Sequence, residues 1–109
     1  MTVTVASDGT QTATPSTEHT LYAPTTAGMY ILIVDVNALV GVEVVELRAK
    51  EKALTAGTER VVSLMVFPSG LGEPITRSIP YSWPYGGTFT LTQVGGSSRA
   101  FPWSVHKVG

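Results

Sequence analysis

The sequence predicts an all-β fold, a single-domain antiparallel β-sandwich or barrel of jelly-roll type with about seven or eight strands. Three observations carry that expectation. Short runs rich in Val, Thr, Ile and aromatic residues recur along the chain, turn signals separate them at short intervals, and no segment keeps a convincing helical period. The chain has 109 residues, of which 43% are hydrophobic. That length suits one domain spanning residues 1–109 and supplies one core. Charged residues make up only 14%, well below the roughly 25% of an ordinary domain. Thr and Ser must therefore wet much of the surface, and Thr, being β-branched, also favours strands.

In chain order, Val3 and Val5 alternate with Thr residues as a short strand, and Ser7-Asp8-Gly9-Thr10 reads as a turn. Residues 10–17 carry almost no core-forming side chain. Residues 1–20 as a whole read as an extended N-terminal arm or an edge strand. His19 to Tyr22 is the next strand, stopped by Pro24. Met29 to Val36 is apolar on both faces apart from Asp35, as in a central strand covered on both sides. Asp35 itself reads as a strand end, because Asn37 and Gly41 follow so closely. From Val42 to Lys52, Val45, Leu47 and Ala49 alternate with Glu46, Arg48 and Lys50. The period of two favours a strand over the rival helix, with a bulge expected at Val44-Val45. Thr55 to Thr58 is a hairpin connection, Arg60 to Phe67 a strong strand, and Pro68 to Gly72 a break. Glu73 to Ile79 is a weaker strand, and Tyr81 to Gly87 reads as an aromatic, proline-bearing loop. Thr88 to Val94 alternates cleanly, Gly95 to Ser98 turns the chain, and Ala100 to Val108 closes it.

The inventory of reactive groups is thin. There is no cysteine, which excludes disulfides and thiolate chemistry. His19 and His106 lie near opposite ends of the sequence, with no supporting ligand spacing. Glu43, Glu46, Glu51, Glu59 and Glu73 accompany Arg48, Lys50, Lys52 and Arg60, a pattern that reads as ion pairing on a wet sheet face. Ser69-Gly70-Leu71-Gly72 lacks the Lys-Ser/Thr of a phosphate loop. No catalytic residue, cofactor or metal site is expected, and the chain reads as non-enzymatic. With a net charge of −1 and no basic cluster, nucleic acid is not an expected partner. The start lacks a signal-peptide pattern and the longest apolar run is too short to span a bilayer, so neither Sec-type export nor a membrane partner is expected. The candidate binding residues are aromatic: Tyr81, Trp83 and Tyr85 recur at every second position around Pro84, and Phe101 and Trp103 repeat that spacing around Pro102. Such rings either anchor a partner or cap the ends of the core.

The apolar strand ending at Asp35, the Val-Glu-Leu-Arg stretch at Val45 to Arg48, the Thr/Gly hairpin at Thr55 to Thr58 and the closing segment Arg99 to Trp103 together resemble small structural proteins of tailed bacteriophages. The resemblance covers most of the chain after Tyr22. It implies a small β-sandwich or barrel that decorates or cements the capsid, made in the host cytoplasm and located on the virion surface. The partners it implies are the major capsid protein or other virion proteins, and copies of the chain itself, with a trimer favoured. It brings no catalytic residues. The alternatives are a head–tail connector component and a carbohydrate- or receptor-binding module of a tail or surface protein.

Overall fold

The alternation of apolar and polar residues resolves into two faces for most strands of the computed structural model, which describes residues 2–108. Nine strands are found among them: β1 (Val3–Ala13), β2 (Glu18–Tyr22), β3 (Gly28–Asp35), β4 (Val44–Glu51), β5 (Arg60–Pro68), β6 (Ile75–Arg77), β7 (Tyr81–Trp83), β8 (Gly87–Val94) and β9 (Arg99–Val108). They form two antiparallel sheets. The first has the order β1-β9-β3-β6, with β7 also paired to β3, and the second has the order β2-β8-β4-β5. The fold is a β-sandwich, two separate sheets packed face to face, rather than a closed barrel. None of the described residues is helical, so no helix is long and apolar enough to cross a membrane.

The core lies between the sheets. From the first sheet come Tyr30, Leu32 and Val34 of β3, Phe101 and Val105 of β9, and Tyr81 and Trp83 of β7. From the second come Val45, Leu47 and Ala49 of β4 with Phe89 and Leu91 of β8. At one end the aromatics pack as a cluster: the Trp83 and Phe89 ring centroids are 4.7 Å apart, those of Tyr30 and Trp83 5.6 Å, and those of Tyr81 and Trp83 5.7 Å. Gly87 permits that cluster. A Cβ there would lie 2.5 Å from the Trp83 ring and 2.7 Å from the Lys50 carbonyl oxygen.

Several sequence expectations are corrected. Residues 7–10 are not a turn: β1 runs through them, paired with β9 from Val3 to Ala13, with its irregularity between Val5 and Ser7. The aromatic segment at Tyr81 is not all loop, because Tyr81 to Trp83 form β7 against Gly28 to Tyr30. The β4 bulge lies between Ala49 and Lys50 opposite β5, not at Val44-Val45. Strand β3 is covered on one face only. Tyr30, Leu32 and Val34 are buried, but Met29 is exposed and Ile31 and Ile33 are half-buried. Asp35 ends β3 as expected, and its Oδ1 accepts a hydrogen bond from the Asn37 N–H at 2.9 Å.

The aromatic cluster carries the load at its end of the sandwich. Trp83→Ala should lower unfolding stability by about 3–5 kcal/mol, as expected for a large cavity in a close-packed core. Urea titration measures the loss, and a change under about 1 kcal/mol would contradict the packing described.

Candidate interaction surface

Residues directly paired across antiparallel strands share a sheet face, so register shows what each outer face presents. On the second sheet the outward face is polar over β2, β8 and β4, while Val61, Leu64 and Val66 leave the β5 edge apolar. Lys50 of β4 reaches Glu18 of β2 at 3.0 Å, and Arg48 pairs with Glu46 on its own strand at 3.1 Å. Between them, the Thr88 and Thr90 hydroxyls of β8 donate to Glu59 and Glu18, each at 2.7 Å. The Thr90 hydrogen bond, and then the Lys50 ammonium, hold the Glu18 carboxyl below its ordinary range despite partial burial. The Thr-rich face of β8 is thus buried beneath a roof of charged side chains.

The first sheet is different. Its register sets Val3 beside Val108 and Val108 beside Met29, then Val5 beside His106 and His106 beside Ile31. The next row is Asp8, Ser104, Ile33 and Arg77, and Ile75 follows opposite Asp35. The outward face therefore sets apolar Val3, Val5, Met29, Ile31, Ile33 and Ile75 among His106, Asp8, Ser104, Arg77 and Asp35. Val5 is 57% exposed and Ile75 58% exposed, with Val3 and Met29 also open to water. Asp8, Asp35 and Arg77 supply charge at the margin. A shallow open groove of about 440 Å³ runs along it, lined by Asp8, Thr10, Ile33, Asp35, Ile75 and Ser104. Exposed apolar side chains interleaved with polar ones are the composition of a protein contact surface. Within it, His106 Nε2 and the Ser104 hydroxyl lie 3.2 Å apart.

The end of the sandwich away from the aromatic cluster is held by buried polar groups. Glu43, 4% exposed, receives two parallel bonds from Arg99, Nε to Oε1 at 3.0 Å and Nη2 to Oε2 at 2.9 Å. The Val40 N–H donates to the same carboxylate at 3.0 Å and the Ser97 N–H at 3.3 Å. Fully buried Gln93 donates to the carbonyls of Gly95 and Ser97 and accepts from the Arg99 N–H. Ser98 donates through its hydroxyl to the Ala13 carbonyl, and the Ser16 N–H donates to the Gln93 carbonyl. These bonds tie the β3–β4 crossing to the β8–β9 turn and to the β1–β2 turn. The Arg99 guanidinium, with the backbone donors, holds the Glu43 carboxyl down at about 2. Gly96 makes room for that carboxylate: at φ +71° its backbone is left-handed, and any Cβ would run into the Glu43 side chain.

The aromatic candidates divide. Tyr81, Trp83 and Phe101 are core side chains, so their rings are not displayed on the folded surface. Trp103 is half-buried against the core and lies across from Gly9, whose missing side chain leaves space beside the indole. Tyr85 alone is exposed, in the turn after β7. The structure gathers Tyr81 and Trp83 into one cluster and leaves Tyr85, Phe101 and Trp103 outside it. The two histidines sit in different sheets, and His19 Nε2 accepts from the Thr14 N–H at 3.0 Å. Glu43, read from the sequence as a wet-face carboxylate, is instead buried. Its parity was the available signal, because Glu43 falls in phase with Val45, Leu47 and Ala49, as Gln93 does with Phe89 and Leu91.

Comparison with protein-family models, with curated proteins and with solved structures finds no match to this chain.

The Glu43 carboxyl titrates at about 2 in the folded chain against an ordinary 4.5. Its ionic contribution is therefore complete above pH 4.5 and is lost as pH falls toward 2. Glu43→Gln should be less stable at neutral pH and should show a flatter decline of stability across that acid window. Denaturant unfolding of both proteins at several pH values measures it, and parallel acid-side slopes would contradict the assignment.

Proposed function

We propose that the chain is a non-enzymatic structural protein of a bacteriophage virion, a cement or decoration protein that binds the shell of the major capsid protein. The observation that carries this reading is the run of exposed apolar side chains on the outward face of the first sheet, set on a rigid sandwich whose other face is polar and ion-paired over β2, β8 and β4. The resemblance of the Asp35, Val45–Arg48 and Arg99–Trp103 segments to phage structural proteins points the same way. A cement protein needs a stiff body, a face that loses water on contact, and many copies that each bury a modest area. Strands β3 and β9 provide such a platform, because their inward side chains are locked in the core while Ile31, Ile33 and His106 face outward. In this reading the buried aromatics stabilise the platform, and the apolar sheet face makes the contact.

The test is binding of the purified domain to undecorated capsid shells of the phage that encodes it. Val5→Lys and Ile75→Lys place a charge on the apolar face at positions already open to water, so each should change stability by no more than about 0.5 kcal/mol. Each should nonetheless weaken shell binding at least about tenfold, because the contact would bury an unpaired ammonium. Thr20→Lys, at an exposed position in the second sheet, should bind as the parent does. Co-sedimentation and occupancy in electron micrographs read the result. No binding by the parent protein, or equal binding by all variants, would overturn the proposal.

A further inference from the structure

A sheet edge offers unpaired N–H and C=O groups, and proteins normally protect it. Three of the four edge regions here are protected. Strand β1 carries Asp8, Gly9 and an irregularity after Val5. Strand β2 is five residues long, begins at Glu18 and is irregular between Thr20 and Tyr22. Strands β6 and β7 are three residues each, with Pro74 and Pro80 beside β6. Strand β5 is the exception. It has nine residues, pairs only with β4, and has no charged side chain between Arg60 and Pro68. Its bulge lies near Val62, which leaves Ser63 to Phe67 regular and unguarded. Val61, Leu64 and Val66 face outward opposite Lys50, Arg48 and Glu46, and Leu64 is 50% and Val66 52% exposed. On the inward side Met65 and Phe67 are only half-buried.

We propose that β5 pairs antiparallel with β5 of a second copy, joining the two four-stranded sheets into one continuous sheet across a two-fold axis. Self-complementarity selects a second copy as the occupant. Antiparallel pairing of Ser63 to Phe67 with itself sets uncharged side chains against one another, with no like charges opposed and none left unpaired. The area is adequate. The half-exposed valines and leucine offer on the order of 300 Å² per copy, and with Met65, Phe67 and the strand edges the pair reaches about 1,000 Å², where specific interfaces begin. The outward face of the first sheet is not used, so the pair forms whether or not that face binds a shell. Isologous pairing closes at two copies, in place of the trimer that the family resemblance implies.

Sedimentation or light scattering of the purified chain tests this directly. The parent should have twice the 11.5 kDa chain mass, and Leu64→Lys should halve it, since the new ammonium stays in water in the monomer and is set unpaired against Val66 of the second copy in the pair. Val5→Lys should remain dimeric, which separates this interface from the shell-binding face. Because the chain has no cysteine, Met65→Cys, which the two-fold sets opposite itself, and the double variant Leu64→Cys/Val66→Cys provide a second readout that does not require breaking the pair. At least one should form an inter-chain disulfide on mild oxidation, and Thr10→Cys on β1 should not. A monomeric or trimeric parent, a Leu64→Lys dimer, or a dimer broken by Val5→Lys would each overturn the proposal.

Discussion

The sandwich depends on one ion pair, buried Glu43 with half-buried Arg99, where the chain changes sheets. Between β3 and β4 the chain leaves the first sheet for the second, and between β8 and β9 it returns. Glu43 lies on the first connection, and Arg99 opens the strand after the second. Their parallel hydrogen bonds hold the two connections together, while Gln93 and the backbone of Val40 and Ser97 use the remaining bonding capacity. A buried charge is costly unless every lone pair finds a donor, and a satisfied network of this kind fixes a unique geometry. With this end held by polar bonds and the other by stacked aromatics, the sheets have little freedom to slide.

That rigidity gives the outer faces their meaning. In both sheets, inward side chains are committed to the core, and the outward ones do not serve the fold in the same way. The second sheet roofs Thr88 and Thr90 with Glu59, Glu18 and Lys50, which satisfy one another. The first sheet leaves Val3, Val5, Met29 and Ile75 open to water with little polar cover. Isolated exposed apolar residues need no explanation, but a register-aligned set of them on three strands of one sheet does. The unguarded β5 edge is a second such feature, on the other sheet.

Much of this architecture was legible in the residues. The period-two pattern from Val45 to Lys50 correctly favoured a strand over a helix, and Asn37 and Gly41 placed Asp35 at a strand end. The misses share a physical cause: sequence periodicity reports which residues alternate, but not which neighbours cover them. Strand β3 is apolar on both faces, yet only its even-numbered side chains find a core, because no layer packs outside the first sheet. Tyr81 and Trp83 carry the composition of a binding platform, and long-range pairing with Gly28 to Tyr30 turns them inward. Residues 7–10 hold turn formers but are drawn into β1 by the length of β9 beside them. Glu43 and Gln93 carried a readable signal, a polar residue in the apolar phase, but their partners lie 56 and 6 residues away at Arg99, beyond any local pattern.

In the proposed role, the outward face of the first sheet is the surface through which this domain joins an assembly. A reconstruction of the decorated shell by electron cryomicroscopy, at a resolution that orients the domain, tests it most directly. The account predicts that the shell covers the face carrying Val5, Ile33, Ile75 and His106, while the ion-paired face of β4 and β8 points to solvent. A domain seated on that ion-paired face, or touching the shell only through its end loops with the apolar face exposed, would contradict it.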